Sequence, residues 1–204
     1  MEFEGEFETH ITVKLDRENE IEALQQWSRD RGLKFFHIVL NRGVIASQPM
    51  LSRHGWGCLS GELQQARDIC HSLNTDGFIA TRIKIEAAPN NRDIPQSNSE
   101  INNSSHRYFE HHIQLLLEPD ADISKLAKLT ESYGAHLSRN ISRIREDDRR
   151  EHFITQRCFA VGRIEAKTRL QTLVGAIDLL PYPIVKIEEE FVVYDSNIEL
   201  DAGW

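Results

Sequence analysis

Two histidines stand 102 residues apart in matching surroundings: Glu8, His10 and Thr12 near the start, and Glu110, His112 and Gln114 in the middle. A second set keeps that offset, with Lys84 and Glu86 recurring as Lys186 and Glu188, and Arg82 two residues ahead of the first copy. Carboxylate, imidazole and ammonium groups brought together can move a proton, contact a phosphate or hold a ligand. Every residue of each set is two positions from the next, and that spacing places side chains on one face of a strand. His10 and His112 are therefore the candidate catalytic pair. Glu8, Thr12, Arg82, Lys84, Glu86, Glu110, Gln114, Lys186 and Glu188 are the candidate ligand-binding residues.

The elements that must carry these groups are legible from periodicity. Residues 7–15 alternate Phe7, Thr9, Ile11, Val13 and Leu15 against Glu8, His10, Thr12 and Lys14, the two-residue period of a half-buried strand. Asn19 and Glu22 resemble a capping box ahead of a helical stripe, Ile21, Leu24 and Trp27, which Gly32 ends. Strands are expected over 33–40 and 44–52. Ser60 can cap a second helix with Leu63, Ala66, Cys70 and Leu73 inward, and a fourth strand follows over 78–87. The second half repeats the pattern: strand 107–118, helix 122–133, strands 137–144 and 152–161, helix 163–179 and strand 184–194. Leu15/Leu117, Ile21/Ile123, Gly32/Gly134 and Arg67/Arg169 hold the same offset.

The expected fold class is α+β: a tandem duplication of a ferredoxin-like β-α-β-β-α-β unit, with antiparallel sheets and helices on one face. Its parts are a lobe over 1–88, an Asn/Ser/Pro-rich linker over 89–105, read as flexible, and a second lobe with its tail over 106–204. In that topology the first and fourth strands are neighbours. Glu8, His10 and Thr12 then face Arg82, Lys84 and Glu86, while Glu110, His112 and Gln114 face Lys186, Glu188 and Glu190. The sheet face left bare by the helices carries these groups. It is expected to be either a solvated face of cross-strand charge pairs or a face buried against its twin as an ionic network between lobes.

Composition limits the partners. The chain has 204 residues, 24 Lys and Arg against 32 Asp and Glu, and a net charge of −8, with both halves negative. Nucleic acid and anionic lipid are poor partners for such a surface. There is no apolar run long enough to span a bilayer and no secretory pattern at the start, so a cytoplasmic protein is expected. The three cysteines, Cys58, Cys70 and Cys158, have no paired spacing, which argues against disulfides or a cysteine zinc site. No cofactor motif is present, and no metal is expected. His111 and His112 are adjacent and must point to opposite faces, and His10 could meet His37 only if their strands face alike. The arginines from Arg139 to Arg157 are read as a solvated hairpin tip around 144–151, and Trp204 as a docking side chain.

His10, Ile11, Thr12 and Val13 resemble the His-x-Thr/Ser-hydrophobic signature of the 2H phosphoesterases, a family of two-lobed proteins. That resemblance implies two histidines acting as acid and base on a cyclic or RNA-end phosphate. Gln114 stands where the second hydroxyl of that pattern belongs, and His10 precedes the first helix instead of following it. The two-halved construction is also similar to the triphosphate-tunnel family, whose Glu-x-Glu-x-Lys is replaced by Glu2, Glu4 and Glu6. The leading expectation is a binding or interaction protein, able to self-associate through bare sheet faces, for an unidentified ligand or partner. A 2H-like phosphoesterase is the alternative.

Overall fold

The computed structural model describes residues 2–17, 19–101, 106–142 and 148–203. The first half runs β1 (Glu4–Lys14), α1 (Asn19–Asp30), β2 (Lys34–Leu40), β3 (Ser47–Cys58), α2 (Leu59–Thr75) and β4 (Ile79–Ala87). The second runs β5 (Tyr108–Leu117), α3 (Ser124–Ser132), β6 (Ala135–Asn140), β7 (Arg150–Phe159), α4 (Arg163–Ile177) and β8 (Ile184–Asp195). Each half has the ferredoxin-like strand order, β4-β1-β3-β2 and β8-β5-β7-β6, and every pairing is antiparallel.

The two sheets neither stay separate nor stack. They join at two seams, Ile38–Leu40 with Ser138–Asn140 and Lys84–Ala87 with Phe191–Asp195, and close into one eight-stranded barrel. Alternation along each strand then sends one set of side chains to the helices outside and the other into the lumen. On β1, Ile11 and Val13 join Leu24, Trp27, Leu51, Ala66 and Leu73 beneath α1 and α2. Ile113, Leu115, Leu126, Ile154 and Leu173 form the matching core of the second half. A third cluster, with Phe3, Phe7, Ile85, Phe109 and Phe191, spans both halves. The face expected to be bare is therefore covered by its counterpart, so neither a solvated sheet face nor a face free for self-association exists there.

Local details depart from expectation for identifiable reasons. β3 continues beyond residue 52 to Cys58 because residues 53–58 pair with β1 alone, past the end of β2. Gly55 lies in this extension with buried Glu62 so close that a Cβ would sit 2.2 Å from its Oε1. Ser60 does not cap α2, which starts one residue earlier; its N–H instead donates to Glu2 Oε1 at 2.9 Å. Glu20 accepts from the N–H groups of Asp16 and Arg17 at 2.9 and 3.1 Å, ahead of the capping box expected at Asn19 and Glu22.

The connector, expected to be flexible, is docked over its described part, 89–101. Ile94 is buried in the shared core, and the carbonyls of Pro95 and Gln96 accept from the N–H groups of Arg163 and Ile164 at 3.0 and 3.1 Å. Asn98 Oδ1 accepts from the Gly162 N–H at 2.8 Å. These bonds occupy N–H groups at the start of α4, which have no partner within the helix. Much of the expected hairpin tip, 143–147, and Trp204 lie outside the described residues. No helix among the described residues is long and apolar enough to cross a membrane.

Candidate functional site

The barrel brings the two histidine sets into one lumen. On β1 and β4, Glu8 pairs with Glu86, His10 with Lys84 and Thr12 with Arg82; on β5 and β8, Glu110 pairs with Glu190, His112 with Glu188 and Gln114 with Lys186. The β4–β8 seam sets these ladders side by side, so groups from both halves meet. Lys84 Nζ lies 2.6 Å from Glu86 Oε1 and 2.5 Å from Glu110 Oε1. His10 Nε2 is 2.8 Å from Glu86 Oε2. His112 Nε2 faces three carboxylates, at 3.2 Å from Glu110, 3.4 Å from Glu190 and 3.9 Å from Glu86. Glu8 accepts from the Ser52 hydroxyl and approaches His10 and His54.

One end of the network is closed by a segment beyond the repeat. A short 3-10 turn, Ile198–Asp201, puts Asp201 against the lumen. Its Oδ2 accepts from both Arg82 and Arg157 at 2.7 Å, and its Oδ1 accepts from Gln48 Nε2 at 2.8 Å. Asp195 takes Arg82 through both carboxylate oxygens and the Tyr108 hydroxyl at 2.9 Å, while Arg157 also donates to Glu110 at 2.6 Å. Exposure rises toward Lys186 and Glu188, which pair with each other at 2.5 Å near solvent.

Between these groups lies a cavity of about 190 Å³, larger than the ~150 Å³ void that takes up a benzene molecule in another protein's core. Its walls differ. The strands β1, β4, β5 and β8, with Arg157 of β7, present the ionic groups, whereas β2, β3 and the Phe153 end of β7 contribute Phe36, Ile38, Met50 and Phe153.

Burial opposes every charge here, and specific partners decide the outcome. Desolvation alone would lower His10, but the adjacent Glu86 carboxylate raises it above its ordinary value. His112 is likewise penalised by burial, yet hydrogen bonds to Glu110, Glu190 and Glu86 hold it well above the usual imidazole range. Burial would raise Glu86 and Glu110; Lys84 outweighs it and keeps both well below the usual carboxylate range. Glu190 goes the other way, raised to about 7 by burial and by the neighbouring Glu86 charge.

Of the residues singled out from sequence, Glu8, His10, Thr12, Arg82, Lys84, Glu110, His112 and Glu188 line the cavity, with Glu86 bonded into the same network. Gln114 and Lys186 pair with each other toward the open end and do not line it. His37 is on the other side of β2 from Phe36 and Ile38 and bonds Ser47 Oγ at 2.8 Å, so it does not meet His10. His111 points away from His112 and bonds Gln156. Arg157 is not part of a solvated hairpin: it is buried and spans Glu110 and Asp201. The apolar wall and Asp201 went unnoticed in the sequence. The alternation of Phe36, Ile38 and Leu40 on β2 was the available signal for the former.

No protein-family profile and no curated protein matches this chain. Among solved structures, the acetolactate synthase small subunit from Thermotoga maritima aligns over 93% of this chain and 95% of its own, at 11% identity and a TM-score of 0.30. Chlorite dismutase from Candidatus Nitrospira defluvii, in complex with imidazole, aligns over 94% and 92% at 9% identity and a TM-score of 0.33. At these scores neither likeness says anything about what the lumen holds.

Proposed function

We propose that the protein binds a small amphipathic molecule inside its barrel. The observation that carries this reading is the cavity with one ionic wall and one apolar wall, since ligand sites pair a mostly apolar lining with a few placed polar groups. The apolar body of a ligand would lie on Phe36, Ile38, Met50 and Phe153, and its polar end would meet His10, Lys84, His112 and Glu190. A tandem duplication accounts for the twofold strand order and for the recurrence of the histidine sets at equivalent places. The lumen uses the copies unequally, because the Lys84 side chain is 12% exposed while its counterpart Lys186 is 58% exposed.

A 2H-like reaction gains one feature, the shared lumen of His10 and His112, and loses another. A phosphate between these histidines would face Glu8, Glu86, Glu110 and Glu190, while Arg82 and Arg157 are already engaged by Asp195 and Asp201. Like charges at that range oppose binding, so the binding reading stands ahead of it.

The test is a thermal-shift panel of small molecules that join an aliphatic or aromatic body to an amine, a carboxylate or a hydroxyl. It is run on the full chain and on Met50→Trp, which fills the apolar side. The expected result is stabilisation by one head-group class in the original protein and its loss in Met50→Trp. A panel with no stabilising member, or stabilisation that survives the filled cavity, overturns the reading.

A further inference from the structure

The lumen is short of positive charge. Glu8, Glu86, Glu110, Glu190, Asp195 and Asp201 bring six carboxylates within reach of one another's partners, against three permanently cationic side chains, Arg82, Lys84 and Arg157. Buried charge left without a counter-charge is costly, so protons or a bound cation must make up the difference.

The geometry points to a divalent transition-metal site formed by Glu86, His112 and Glu190. One ligand atom from each lies within 4.8 Å of the other two, and all three residues are buried or half-buried. They come from β4, β5 and β8, consecutive neighbours in the barrel wall, so a rigid sheet sets their spacing.

The surrounding bonds prepare these groups for a metal. His112 Nδ1 is 3.1 Å from Thr155 Oγ1. With Nδ1–H donating to that hydroxyl, Nε2 is aimed at the carboxylates, where a metal would take the place of the proton shared with them; this is the usual way a second contact orients a metal-binding imidazole. Glu86 is fixed in turn by His10 at 2.8 Å and Lys84 at 2.6 Å. A lone imidazole with two carboxylates suits first-row divalent ions such as Mn²⁺, Fe²⁺, Co²⁺ or Zn²⁺, and three protein ligands leave further positions open toward the cavity. Sequence spacing could not reveal this set, because its members are 26 and 78 residues apart in the chain and meet only through barrel closure.

The site goes beyond the small-molecule reading and is tested without any small molecule. Chelator-treated full-length protein is titrated with Co²⁺ and followed by visible absorption and calorimetry, with Zn²⁺ as competitor. One equivalent should bind, with a d–d band and displacement by Zn²⁺. Glu190→Gln and His112→Gln, checked for folding by circular dichroism, should each weaken binding at least 100-fold. Thr155→Val, which removes only the positioning contact, should weaken it about 10–100-fold. Absence of saturable Co²⁺ binding, or binding that neither ligand substitution affects, overturns the assignment.

Discussion

Arg82 and Arg157 donate to the same oxygen, Oδ2 of Asp201, each at 2.7 Å. Two guanidiniums from opposite halves are thus held together by one carboxylate from the segment beyond both. All three groups are nearly inaccessible to solvent.

Asp201→Asn should therefore be strongly destabilising. It keeps the shape of the side chain but leaves two buried cations short of a counter-charge, a change that costs about 3–5 kcal/mol when a buried pair is broken. Urea unfolding of the variant beside the original protein measures the loss. A difference under about 1 kcal/mol would mean that the clamp contributes little.

Lys84→Met should have a comparable effect, since it leaves Glu86 and Glu110 buried without their shared ammonium. Adding Glu110→Gln should recover part of that stability, with a coupling of about 1–3 kcal/mol for groups in one network. The four-protein denaturation cycle reads it directly.

Gly162→Ala tests the docked connector. A Cβ there would lie 2.4 Å from the Ser97 carbonyl carbon, a backbone atom that cannot swing aside. Overpacking of this kind costs about 1–3 kcal/mol. The variant should unfold at lower urea and be cleaved faster within 89–101 by a protease of broad specificity.

His136 supplies a pH dependence of known sign. It is buried, and burial first, then the nearby charges of Arg42 and Arg157, lower it from 6.5 to about 4. Between these values the unfolded chain binds the proton and the folded chain does not. The stabilisation is complete above pH 6.5 and is lost as pH falls toward 4, to the extent of about 3 kcal/mol for this one group. Other histidines titrate as well, so the readout is a difference. His136→Asn should show a shallower loss of stability between pH 7 and 4.5 than the original protein, and parallel curves would refute the assignment.

Much of the scaffold was legible in the residues because each strand announces its period. That the set around His10 faces the set around Lys84, and the set around His112 the set around Glu188, follows from the strand order; the register within each pair does not. Closure was not legible. A strand that buries apolar groups outward and ionic groups inward has the same alternation as one with a wet face, and only the neighbouring sheet distinguishes them. Arg157 illustrates the difficulty: it sits close to a run of charged residues in the chain, yet β7 turns it into the barrel beside Glu110. Asp201 lies past the last repeated strand, where no periodicity exists to place it. The repeat does not say whether both copies are used, and distance from the open end makes Lys84 and Lys186 unequal.

The ring has a consequence for how the molecule comes into being. Asp201 is translated 119 residues after Arg82, which at ribosomal speeds of ~5–20 residues per second is an interval of roughly 6–24 seconds. During it the nascent first half has β2 without its partner until β6 is made, β4 without its partner until β8 is made, and an arginine waiting for its acid. A chaperone that shields sheet edges during elongation would therefore act longest on β4, whose partner β8 is made last.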